Sequence, residues 1–145
     1  MPKITKSFSV KAAPGQVLEY ISNVANHPAF LSALRSVENV RGQSQKVGST
    51  WEWTFTMAGI QLRGNAETVE CIPDKLFSFK TTSGIESTFR YSAEAEQGGS
   101  RMKLEVIYEV PQNVLSQVLD RAVVERMNEA EADRTAQNLT AIFGS

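Results

Sequence analysis

The order of patterns along this chain constrains its fold more than any single motif does. Two short helical segments come first, then alternating strands separated by turn signals, then a terminal stretch free of glycine and proline. That order predicts an α+β domain in which a curved antiparallel sheet grips one long C-terminal helix. Such an arrangement can leave an apolar hollow between sheet and helix.

The periodicities place the elements. Ile4, Phe8 and Val10 alternate as a first strand, with Lys6 breaking the pattern. Pro14 suits the first turn of a helix whose apolar face is Val17, Leu18 and Ile21. Asn26-His27-Pro28 reads as a second helix start, with Phe30, Leu31 and Leu34 on helical spacing. Val37 and Val40 mark a short strand, closed by a polar loop from Gly42 to Gly48. Trp51, Trp53, Phe55 and Met57 then alternate with Glu52, Thr54 and Thr56, the strongest period-2 signal in the chain. Ala58-Gly59 turns the chain into Ile60, Leu62, Gly64 and Ala66. Val69 and Cys71 continue out of phase, which predicts a bulge or bend near Gly64. Three more strands follow Pro73-Asp74-Lys75, Ser83-Gly84 and Gly98-Gly99, carrying Leu76 to Phe79, Phe89 to Ala95 and Met102 to Val110. From Asn113 to Phe143 a single helix of roughly 45 Å is expected. Its middle thins to Ala130, Ala132 and Ala136, which leaves space against the facing sheet.

Composition excludes several functions. The 145 residues make one domain over 1–145, 41% hydrophobic and 21% charged, with a formal net charge of −1. That balance gives no electrostatic case for nucleic acid or an anionic membrane surface. No stretch is long and apolar enough for stable membrane insertion, and Met1 to Lys6 lead into no apolar run of a signal peptide. A lone Cys71 excludes an internal disulfide and makes a reducing cytoplasm the expected compartment. One cysteine and one histidine cannot build a structural zinc site, and no metal or other cofactor is expected. A homo-oligomer is allowed but not indicated.

The family signal lies in Ala13-Pro14-Gly15-Gln16-Val17 and in Asn23 through Leu34, with His27-Pro28 and Phe30-Leu31. Gly48 ahead of the Trp-rich strand and the Pro73-Asp74-Lys75 turn add to it. Together they resemble the polyketide cyclase/dehydrase and lipid-transport branch of the START-like superfamily, also called SRPBCC or birch-pollen-allergen-like proteins. The resemblance spans the chain in element order and implies a helix-grip fold of about six or seven antiparallel strands, with two short helices after the first. It also implies binding of a lipid-, polyketide- or sterol-like molecule in the hollow, with cyclase, aromatase or dehydratase activity in some members.

Candidate lining residues are Trp53, Phe55, Phe79, Phe89, Tyr91, Tyr108 and Met127. Pockets for apolar ligands are mostly apolar with a few polar groups, and a buried tyrosine hydroxyl needs a partner. Arg63 and Arg90 alternate to the outer face. His27 is the one side chain that titrates near neutrality unperturbed, but its neighbours read as a surface helix start. Glu125, Glu129 and Asp133 form a like-charged column on the long helix that could seek a basic partner. Cys71 reads as a small buried hydrophobe. No catalytic residue is identifiable. Three functions stay open: a carrier of an apolar molecule, a cyclase/dehydrase acting by positioning, and an interaction module with a filled core.

Overall fold

The computed structural model describes residues 2–116 and 120–144. Its elements run β1 (Lys3–Val10), α1 (Pro14–Ser22), a 3₁₀ turn (Val24–Asn26), α2 (His27–Phe30) and β2 (Leu34–Arg41). They continue β3 (Thr50–Met57), β4 (Ile60–Ile72), β5 (Leu76–Thr82), β6 (Ser87–Glu96), β7 (Gly99–Tyr108), α3 (Gln112–Leu115) and α4 (Arg121–Phe143). The seven strands form one antiparallel sheet in the order β1-β7-β6-β5-β4-β3-β2. β1 and β2, consecutive in the chain, therefore stand at opposite edges. The two short helices carry the chain between them, and α4 packs on β1, α2 and β3. This is the helix-grip fold.

Tight turns fall where the turn residues require. Ala58 and Gly59 both have positive φ, 51° and 81°, the conformation a two-residue hairpin needs. The bulge lies further along β4 than expected. Pairing of β4 with β3 runs unbroken through Trp53↔Gly64, and the register shift against β5 falls between Thr68 and Glu70. Val69 is thus the extra residue, which explains why Val69 and Cys71 lose phase. Gly64 has a different purpose: any Cβ there would collide with the Trp53 ring and with the Thr82 carbonyl oxygen, 2.6 Å away.

Two expected helices are shorter than the sequence suggests. α2 ends at Phe30, and Leu34, four residues on, already starts β2. The terminal helix is not continuous from Asn113. Asp120 is extended (φ −114°, ψ 106°) and its carboxylate accepts the Ala122 N–H at 2.9 Å, a side-chain cap that starts a new helix. α4 is 23 residues, roughly 35 Å, long. Val118 and Leu119, expected on the long helix, lie outside the described residues.

The end of the sheet under α1 is tied by one serine. Buried Ser44 donates its Oγ–H to the Ser22 carbonyl (2.7 Å) and accepts the Val24 N–H (3.2 Å). Its own carbonyl accepts from Thr68 Oγ1 at 2.7 Å. α4 is held on both flanks. On one side Lys6 of β1 reaches Glu129 and Asp133, each at 2.9 Å, and supplies the basic partner for the acidic column. On the other, Ser32 donates to Glu131 (2.7 Å) and Asn138 to the Phe30 carbonyl (3.1 Å).

Candidate functional site

Strand register builds the site. Reading across the concave face, Ile4 opposes Val106, Val106 opposes Phe89, and Phe89 opposes Phe79. One step along, Tyr108 opposes Ser87, which opposes Thr81. These two rows and the inner face of β3 (Trp51, Trp53, Phe55, Met57) wall a hollow roofed by α4. The hollow has a volume of about 100 Å³ and is not sealed. Its wall is aromatic: Phe79 and Phe89 stack at 4.9 Å with their rings 7° from parallel, and Trp51 meets Phe79 edge-on at 5.5 Å. On α4 the buried stripe is Val124, Ala132, Thr135 and Leu139, and small Ala132 faces the hollow. Of the three alanines in the middle of the helix, Ala132 is the one among the residues that line the hollow.

Five of the seven candidate residues meet around this hollow: Trp53, Phe55, Phe79, Phe89 and Tyr108. Tyr91 and Met127 do not. Tyr91 shares the inner face with Phe89 but lies one step further along β6, where Phe30 of α2 fills the concavity at 6.1 Å. It is core, with a hydroxyl that has no partner among the described residues and a pKa pushed up by burial. Met127 is 43% exposed. At about 100° per residue it falls roughly 100° off the centre of the α4 stripe, and Asn128 takes the inward position.

His27 departs most from expectation. It is buried, not on the surface, and lines the hollow among Trp51, Phe77 and Phe79. Its Nε2 lies 2.8 Å from the Ile21 carbonyl, which can only accept, so Nε2 carries the proton and Nδ1 is bare. Desolvation lowers its pKa to about 4, so the ring is neutral at physiological pH. No periodicity marks this; the signal that could have found it is the single polar ring among apolar Phe30 and Leu31.

Two polar groups of the hollow are unpaired among the described residues: the Tyr108 hydroxyl and Asn128 Nδ2. Burial raises the Tyr108 pKa above its usual range, and the nearby Asn128 side chain opposes that rise in part. Arg63 and Arg90 are exposed on the outer face, Arg90 paired with Glu70 at 3.4 Å. Cys71 is half-buried, its thiol pKa raised by burial.

The sequence matches the family model described as "Polyketide cyclase / dehydrase and lipid transport" over residues 1–144. The chain belongs to that family. Solved structures agree on the fold of this family member. A Thermus thermophilus protein superposes with a TM-score of 0.79 at 17% identity, covering 97% of this chain and 95% of its own. The Zhui aromatase/cyclase of a Streptomyces species gives 0.74 at 10% identity, covering 97% and 92%. Ginseng major latex-like protein 151 gives 0.72 at 15% identity, covering 99% and 98%. No curated protein matches the sequence. Among the described residues no helix is long and apolar enough to cross a membrane.

Proposed function

We propose that this family member is a carrier or sequestering protein for a small, ring-containing apolar molecule held between the sheet and α4. The observation that supports the reading is the aromatic-walled hollow carrying a Tyr108 hydroxyl and an Asn128 amide nitrogen that have no partner among the described residues. Apolar burial at about 25 cal/mol per Å² drives occupancy, and the polar pair orients the guest. Size narrows the guest. An apolar cavity of about 150 Å³ takes benzene, whereas pockets for drug-sized ligands measure about 300–1,000 Å³. At about 100 Å³ the enclosed space is smaller than that benzene cavity, so a single ring would use the open mouth as well, and a sterol or long lipid would have to displace part of the wall.

The test is intrinsic fluorescence of Trp51 and Trp53, both on the wall, during titration with single-ring compounds, sterols and fatty acids. A saturable change for ring compounds is expected, with no turnover. A flat response across the panel, with no co-purified ligand in the mass spectrum, would overturn the reading in favour of a filled core with a protein partner.

A further inference from the structure

Resting on the reading of the hollow as a binding site, we propose that the site discriminates by charge. It admits uncharged ring compounds that carry a carbonyl or hydroxyl and rejects the matching carboxylates.

The reason is the inventory of polar groups around the hollow. Several are already engaged with the protein. Thr81 Oγ1 donates to the Ile85 carbonyl at 2.8 Å, Thr135 Oγ1 to the Glu131 carbonyl at 3.0 Å, and His27 Nε2 to the Ile21 carbonyl at 2.8 Å. Among the described residues the Tyr108 hydroxyl and the Asn128 amide nitrogen are left as buried donors, both neutral, while the bare Nδ1 of His27 can only accept. A ligand oxygen that accepts from either restores a hydrogen bond that the protein leaves unmade.

Among the described residues that line the hollow there is no lysine or arginine, and the one charged residue, Glu131, is negative. Its carboxylate is held by Ser32 and Arg134. His27 adds no positive charge while it stays neutral, and Lys6, which faces α4 from β1, is taken up by Glu129 and Asp133. Glu125 and Glu129 flank Asn128 on α4 and raise the Tyr108 pKa further, with Arg121 opposing them more weakly. An entering carboxylate would exchange its hydration shell for two neutral donors in a negative field, with no counter-ion. A ketone of the same shape carries no charge to desolvate.

The experiment uses three near-isosteres at pH 7: acetophenone, benzoate and α-methylstyrene, which keeps the shape but has no oxygen. Dissociation constants come from shifts of the Trp51 and Trp53 indole N–H resonances. Acetophenone is expected to bind about tenfold or more tightly than benzoate. Tyr108→Phe and, separately, Asn128→Leu should each weaken acetophenone several-fold and leave α-methylstyrene unchanged. Benzoate binding as well as or better than acetophenone overturns the proposal while leaving the carrier reading intact. So does an undiminished acetophenone preference in both variants. Absence of all three ligands from the hollow, α-methylstyrene included, overturns the carrier reading itself and the charge discrimination with it.

Discussion

The Trp53 indole lies across Gly64, its direct partner on β4, and its Nε1–H donates to the carbonyl of the next residue, Asn65, at 2.9 Å. The ring extends to the β5–β6 turn, where a Cβ on Gly84 would stand 3.1 Å from its far edge. One large side chain thus reaches from β3 across β4 to the β5–β6 turn because two glycines make room for it. Gly64→Ala should cost about 3 kcal/mol, because the new methyl meets backbone oxygens as well as the ring and neither can yield cheaply. Chemical denaturation followed by tryptophan emission reads the loss. A variant as stable as the parent would mean the ring does not sit on Gly64.

Neutral burial of His27 makes stability depend on pH. Its folded pKa, about 4, lies below the unfolded value near 6.5, so the unfolded chain binds the extra proton between them. The stabilisation is therefore present above pH 6.5 and is lost as pH falls toward 4. Between pH 7 and 5 the loss should be about 2 kcal/mol, a window in which most carboxylates stay ionised. Urea denaturation across that range should show the slope in the parent and a flatter one in His27→Gln.

Filling the hollow separates packing from binding. Ala132→Leu adds apolar volume from the roof into unoccupied space, so stability should stay within about 1 kcal/mol of the parent. Affinity for single-ring compounds should fall about tenfold or more. Thermal unfolding and ligand titration of the same preparation provide both numbers. Unchanged affinity would place the ligand elsewhere.

The Lys6 clamp on Glu129 and Asp133 is a modest contributor, because both carboxylates are half-exposed. The two carboxylates raise the Lys6 pKa, yet solvent screening keeps the worth of the cluster to about 1 kcal/mol or less. Lys6→Met should show that loss at low salt, and the difference should shrink as salt rises.

Periodicity in this chain carries some of the fold and not the rest. The alternation of Trp51 to Met57 reports one buried face, and that face is the wall of the hollow. The same alternation cannot say how far along a face the cover changes, so Phe89 and Tyr91 look equivalent although α2 fills the space beside only the second. On α4 the apolar residues are too sparse to fix the phase, so the pattern points Met127 inward whereas Asn128 holds that position. The break at Asp120 carries no glycine or proline; its sign is a carboxylate cap, which also suits an exposed helix position. His27 is buried by β5 aromatics some fifty positions away, a relation that a local pattern does not hold.

The placement of β1 and β2 at opposite edges has a kinetic consequence. β2 to β7 are joined in sequence as neighbouring hairpins, whereas β1 pairs across the chain, Lys3 with Ile107. Closing so long a loop is slow, so the meander can assemble before β1 and α4 arrive. The hollow does not exist until that last docking. A guest held there lowers the free energy of the closed state without touching the early hairpins, so it should slow unfolding and leave the folding rate nearly unchanged.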